Sequence, residues 1–253
     1  MIISEPKKAI IVEIPGTKCE KISELFAPHV MEKHQLVQSI KTNERFSGFS
    51  RSLSSFTQLE IDPKDYYKIV AVRNPYSRLI DIWENYYKFP EKSIDRTFAN
   101  NLRFSFARHT GLNPFPAQEF HHMFPEGDFK SFIVFLDYIL TKFSLNIARK
   151  YIGAADQYSY IENDDWIEFD LIASFETLQL DIADIAKQFN LEITETFDLI
   201  EERNRQEQNN LISYYDEEML KIVNRLFIRD FVYFQYSKLS LFDLNQAKKI
   251  TVF

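Results

Sequence analysis

Residues 68–79 read KIVAVRNPYSRL, from Lys68 to Leu79, and the reading of this stretch decides the fold. Its first half, Lys68–Arg73, is dominated by Ile69, Val70 and Val72, the composition of a buried strand. Asn74-Pro75 follows as a turn, and Pro75 suits the first position of a helix because its φ is already fixed and its missing N–H is not needed there. Beyond it Tyr76, Leu79, Ile80, Trp83 and Tyr87 recur at helical spacing. The pattern predicts a strand, a tight turn and an amphipathic helix in immediate succession. An Arg at the end of a buried strand is costly unless it meets an anion, whether a ligand or a neighbouring carboxylate. Arg73 is therefore a candidate anion ligand.

The same succession occurs near the start of the chain. Ala9–Ile14 (AIIVEI) is a short β-branched run bounded by Pro15, and Cys19–Ala27 follows as a helix with Ile22, Leu25 and Phe26 on one face. Strand alternation lets Glu13 turn either toward the first turn or toward a helix partner. Between strand and helix lies Ile14-Pro15-Gly16-Thr17-Lys18-Cys19. N–H groups at such a helix entry suit a phosphate or sulfate, although an ordinary strand-to-helix turn has the same outline. It is not a Walker A loop, because the second Gly and the Lys-Ser/Thr pair are missing.

Further along, Asp128–Phe143 is predicted as an amphipathic helix, and Asp170–Ser174 as a strand followed by a helix carrying Leu178, Ile182, Ile185 and Phe189. One last long helix is predicted from Asp216 to Tyr236, through Met219, Val223, Leu226, Phe227, Phe231 and Phe234. Strands alternating with helices predict an α/β fold, a mainly parallel central sheet with helices on both faces. The 253 residues are expected to form a single domain over 1–253. Ligands of such sheets bind at the carboxyl ends of the strands, which puts Pro15–Lys21 and Arg73–Arg78 at the expected site.

Composition narrows the functions further. The formal net charge is −7, and no basic face of the kind that binds duplex nucleic acid is visible, so no nucleic-acid partner is expected. Any anion must instead be held by a few placed Arg, Lys and backbone N–H groups. The one cysteine, Cys19, leaves no intrachain disulfide, residues Met1–Ile14 show no leader pattern, and no apolar run is long enough to span a bilayer. The expected compartment is the cytoplasm. Oligomeric state is not encoded in any pattern of this kind.

Ile14–Cys19 and Val72–Leu79 resemble the 5′-phosphosulfate and 3′-phosphate motifs of the carbohydrate-type sulfotransferases (the family 2-like group). These use 3′-phosphoadenosine 5′-phosphosulfate (PAPS) as donor and release 3′-phosphoadenosine 5′-phosphate (PAP). Other landmarks fall in family order. Phe129 and Phe132 with Leu136 resemble its Phe-x-x-Phe helix, and Phe175-Glu176-Thr177-Leu178 resembles its Phe-Glu-Asn-Leu segment. Arg203-Asn204-Arg205, Tyr214-Tyr215, Asp230-Phe231 and Phe234-Gln235-Tyr236 resemble its closing segment. The resemblance implies a P-loop-like sulfotransferase fold and transfer of a sulfuryl group to a hydroxyl or amine of a sugar-containing acceptor. The implied cofactor-binding residues are Pro15, Gly16, Thr17, Lys18, Cys19, Arg73, Ser77, Arg78 and Asp81, and no metal is implied.

Three family columns depart from the pattern. The Lys expected after Ile-Pro is Gly16, with Lys18 and Lys21 as the nearest amines, so Lys18 takes the place of the electrophile. The Ser expected as a 3′-phosphate partner is Asp81, with Ser77 one turn earlier. The segment Phe46–Phe56, where the family commonly carries its base, contains no His. His109 is the catalytic candidate that remains, and it lies with His121 and His122 in a Pro- and aromatic-rich stretch suited to an acceptor-side lid. The competing function is a catalytically degenerate binding protein on the same fold. A P-loop kinase is a third reading, opposed by the missing Lys-Ser/Thr pair.

Overall fold

The computed structural model describes residues 2–26, 28, 62–86, 128–142, 154–161, 168–193 and 211–244. In chain order they contain strands β1 (Ile2–Ser4) and β2 (Ala9–Val12), helix α1 (Glu20–Phe26), strand β3 (Tyr67–Val72) and helices α2 (Pro75–Tyr86) and α3 (Phe129–Lys142). There follow the single helical turn α4 (Tyr158–Ile161), strand β4 (Leu171–Ser174), and helices α5 (Leu178–Phe189), α6 (Glu217–Leu226) and α7 (Ile228–Tyr233). The fold is α/β. The chain divides into two compact units, Met1–Asn74 with Gln157–Gln206, and Pro75–Asp156 with Glu207–Phe253.

The first unit holds the sheet, in the order β1-β2-β3-β4. Strands β2, β3 and β4 are mutually parallel, in a register that sets Val12 beside Val70 and Val72 beside Ser174. Their carboxyl ends therefore lie along one edge. Strand β1 runs antiparallel to β2, with Ser4 opposite Ala9. No periodicity predicts it, since three residues are too few to carry a period. It is held by its pairing and by the turn over residues 5–8, where the Lys8 N–H donates to the Glu5 carbonyl at 3.2 Å and Lys8 takes a left-handed φ of 50°.

Alternation along the strands builds the core. Ala9, Ile11, Ile69, Ala71 and Ala173 pack with Ile22 and Phe26 of α1 and with Leu178, Ile182 and Ile185 of α5. The residues between them, Ile10, Val12, Val70 and Val72, are buried as well. With both faces covered, β2 and β3 must be apolar throughout, which is why they read as continuous runs. Glu13 follows the helix-partner alternative, for the Ser23 hydroxyl of α1 donates to its carboxylate at 3.2 Å. Helix α5 stops at Asn190, whose left-handed conformation (φ 50°, ψ 60°) lets the Leu191 N–H reach the Ala186 carbonyl at 2.8 Å.

The second unit is helical among the described residues. Asp128 starts α3 by accepting the Ser131 N–H at 2.9 Å, and Asp216 starts α6 by accepting the Met219 N–H at 2.9 Å. Ring-to-ring contacts tie the helices together. Trp83 meets Phe129 edge-on at 5.3 Å, Phe129 meets Tyr215 at 5.1 Å, and Tyr215 meets Tyr76 at 5.3 Å.

The helix predicted over Asp216–Tyr236 is in fact two. Phe227 leaves helical geometry (φ −107°, ψ 26°) between α6 and α7. Its N–H still reaches the Val223 carbonyl at 3.0 Å, and the apolar positions 219, 223, 227 and 231 keep their i, i+4 spacing across the break. The period therefore passes straight through a join that contains neither Gly nor Pro.

Candidate functional site

The first motif is a hydrogen-bonded turn. The Thr17 N–H donates to the Ile14 carbonyl at 3.3 Å, with Pro15 second and Gly16 third in the turn. Gly16 has φ 80°. This is the pattern of a type II turn, in which Pro presets the second residue and the third needs a positive φ that Gly adopts without steric cost. Two side chains tighten it. The buried Thr17 hydroxyl donates to the same Ile14 carbonyl at 2.8 Å, and the Cys19 thiol approaches that oxygen at 3.8 Å. Thr17 and Cys19, both expected to bind cofactor, thus turn their side chains to the backbone of the turn.

Lys18 follows in a left-handed conformation, φ 57°. A non-Gly residue held there carries of order 1 kcal/mol of backbone strain, so its neighbours over-determine the conformation. Its carbonyl accepts the Lys21 N–H at 3.2 Å at the entry to α1.

The second motif begins at the end of β3, also in the first unit. Arg73 is 1% exposed. Its Nη1 donates to the Gly16 carbonyl at 3.1 Å, which joins the two motifs. Its guanidinium carbon lies 4.2 Å from the centre of the Phe175 ring. A turn carbonyl and an aromatic face thus hold the guanidinium.

The main chain of Arg73 is held just as closely. Its N–H donates to Gln157 Oε1 at 2.8 Å, and Gln157 Nε2 donates to the Arg73 carbonyl at 2.7 Å. The next N–H, of Asn74, donates to Glu176 Oε1 at 2.8 Å, and the Ser174 hydroxyl donates to Glu176 Oε2 at 2.5 Å. The Phe175-Glu176 landmark therefore has a local purpose, with one residue under the guanidinium and the other capping the turn. Asp181 closes the arrangement by accepting the Ser174 N–H at 3.0 Å and the Thr177 hydroxyl at 3.1 Å. Burial outweighs these two bonds and raises its carboxyl above the ordinary range. Gln157 escapes a reading by motif, because it follows Ala154, Ala155 and Asp156 in a stretch with no period.

Ser77, Arg78 and Asp81 lie on α2, in the second unit. Arg78 is fully buried, and its Nη1 donates to the Ala155 carbonyl at 2.7 Å. Ser77 is buried and Asp81 half-buried on the same helix. Nearby, Arg229 grips the buried Asp156 through Nε at 2.7 Å and Nη2 at 3.1 Å. Tyr76 is fixed by three bonds. Its hydroxyl pairs with Asn224 and accepts the Leu239 N–H at 2.9 Å, while its carbonyl accepts the Tyr215 hydroxyl at 2.9 Å. His109, His121, His122, the segment Phe46–Phe56 and Arg203-Asn204-Arg205 lie outside the described residues. Among the described residues, no group of three or more His, Cys, Asp or Glu could hold a metal, and no helix is long and apolar enough to cross a membrane.

Comparison with known proteins identifies the family. Residues 2–237 match the profile of the Sulfotransferase family. Carbohydrate sulfotransferase 12 of Xenopus laevis is 24% identical over 236 residues, which cover 91% of this chain and 55% of that protein. The chain thus spans about half the length of this curated relative. No solved structure matches the chain. The chain belongs to the sulfotransferase family.

Proposed function

We propose that this member of the sulfotransferase family transfers a sulfuryl group from PAPS to a hydroxyl or amine of a carbohydrate-containing acceptor. The observation that carries the reading is the bond from Arg73 to the Gly16 carbonyl, which unites the two resembled motifs at the carboxyl ends of adjacent parallel strands. That edge is where sheets of this class bind ligands. The name of the relative, a carbohydrate sulfotransferase, supports the acceptor class.

The donor set suits the anionic end of such a nucleotide. Arg73 supplies a fixed, permanently charged guanidinium, and the turn over residues 15–19 supplies backbone N–H groups at a helix entry. In this reading Arg73 serves the 3′-phosphate. Pro15–Cys19 serve the phosphosulfate. Lys18 brings positive charge to the oxygen that leaves, and His109 is the candidate to take the acceptor's proton. PAPS supplies the sulfuryl group, whose bond to the bridging oxygen breaks as the acceptor oxygen or nitrogen attacks in line, with PAP as product.

Calorimetry with PAP, followed by transfer of labelled sulfate from PAPS to a glycan panel, tests the proposal. Absence of PAP binding at millimolar concentration ends it.

A second reading has its own observation. Gly16 occupies the family's lysine column in a turn whose third residue has φ 80°, so the usual amine is replaced by a backbone requirement. On this basis the chain is a binding protein that keeps the cleft without the transfer step. PAP binding together with no transfer to any acceptor, unaltered by Lys18→Ala, selects this alternative.

A further inference from the structure

The side-chain amide of Gln157 treats Arg73 as a neighbouring strand would. One oxygen accepts the Arg73 N–H at 2.8 Å and one nitrogen donates to the Arg73 carbonyl at 2.7 Å, so both main-chain groups of a single residue are satisfied by a single side chain. Gln157 is fully buried. The register of β3 with β4 ends at Val72 opposite Ser174, so Arg73 is the first residue past the ladder. Without a partner there, its N–H and carbonyl would be buried polar groups outside the sheet. Gln157 therefore extends the hydrogen bonding of β3 by one residue without a further strand.

The consequence falls on the guanidinium. Its long side chain starts from a Cα whose peptide groups are pinned on both sides, by Gln157 and by Glu176 through the Asn74 N–H. The far end is aimed by Phe175 and Gly16. We infer that Gln157 is a positioning residue, which holds the Arg73 backbone so that the guanidinium is presented for recognition of a phosphate monoester. This rests on the reading of Arg73 as a ligand of the 3′-phosphate. Gln157 touches no reacting group in this scheme, and its effect is confined to how well Arg73 discriminates.

The experiment measures the affinity of the full chain for two probes, PAP and adenosine 5′-phosphate, which lacks the 3′-phosphate. The ratio of the two affinities is read for wild type, Arg73→Ala, Gln157→Met and Gln157→Glu. The Met side chain keeps the volume and loses both bonds. The Glu carboxylate keeps the acceptor for the Arg73 N–H and sets an oxygen against the Arg73 carbonyl. Because the ratio belongs to folded molecules alone, a variant that folds less completely reports it unchanged.

Wild type is expected to prefer PAP, and both Gln157 variants to lose about tenfold of that preference with little change for adenosine 5′-phosphate, as loss of one or two buried hydrogen bonds implies. A merely structural role would weaken both probes alike. Loss of preference in Arg73→Ala with full preference in both Gln157 variants overturns the inference and leaves the reading of Arg73 intact. No preference in wild type, or none lost in Arg73→Ala, overturns that reading and the inference with it. Hydrogen exchange on the unmodified chain adds a test that needs no variant. The Arg73 amide should be protected, and exchange as fast as that of an amide open to water overturns the inference.

Discussion

Arg73 Nη1 donates to the carbonyl oxygen of Gly16 at 3.1 Å, so the residue that ends β3 fixes the turn that follows β2. The bond depends on the direction of the Gly16 carbonyl, and that direction depends on a turn whose third residue has φ 80°. Guanidinium and turn are thus one unit, and a change at either is felt at the other.

Gly16→Lys restores the family's residue against the backbone. A lysine in the left-handed region costs about 1–2 kcal/mol, whereas asparagine visits that region readily. Urea unfolding should place the Lys variant below wild type by that amount and below Gly16→Asn. A Lys variant as stable as the Asn variant would show that the turn does not demand a positive φ.

Phe175 and Arg73 should prove energetically coupled. The guanidinium lies 4.2 Å from the ring centre and both residues are buried, where such a contact contributes about 2 kcal/mol. A double-mutant cycle with Phe175→Leu and Arg73→Met isolates the pair from their separate packing. Coupling indistinguishable from zero would leave the stacking without energetic content.

Tyr76 contributes to the alkaline limit of the second unit. Burial pushes its hydroxyl up to about 12 from an ordinary 10.0, against the opposing effect of the Leu239 N–H and Asn224. The folded state holds the proton more tightly, so the contribution is whole below pH 10 and is lost as pH rises toward 12. Tyr76→Phe leaves the Leu239 N–H without its oxygen and should cost about 1–3 kcal/mol at neutral pH. The deficit should narrow across that alkaline window, and a deficit that stays constant there contradicts the assignment.

Asp216 contributes to the acid limit. Burial acts to raise its carboxyl, but the Met219 N–H and the Lys130 ammonium prevail and hold it below the ordinary 3.8. A depressed folded value means that its contribution is present above the ordinary value and disappears as pH falls through the folded one. Asp216→Ala should therefore cost about 1 kcal/mol at neutral pH, in line with loss of a helix cap, and nothing at the acid end. Paired urea curves taken from neutral pH into the acid range read this directly.

Much of the sheet was legible because β2 and β3 are covered on both sides. Ile69, Val70 and Val72 could only be written as an apolar run, and Pro75 marked the start of α2. Strand β1 was not legible, since its existence depends on β2 rather than on its own residues. The break at Phe227 was hidden for the opposite reason, as buried positions on both sides keep one spacing. At the site, Gly16 and Arg73 were legible as motif positions, but the bond between them belongs to tertiary structure. Arg78 was likewise legible as a motif position, whereas the bond from its Nη1 to the Ala155 carbonyl belongs to tertiary structure. Gln157 had no motif to announce it, because a polar residue that completes a sheet looks in sequence like any glutamine.

The turn over Ile14–Thr17 also constrains redesign of the site. Gly16 carries no side chain and holds a φ of 80° that other residues resist. The Thr17 and Cys19 contacts meet at the Ile14 carbonyl, and the Arg73 contact meets that of Gly16. A lysine at position 16 disturbs all of them at once. Laboratory selection for faster sulfuryl transfer should therefore act through Lys18 before it acts through position 16.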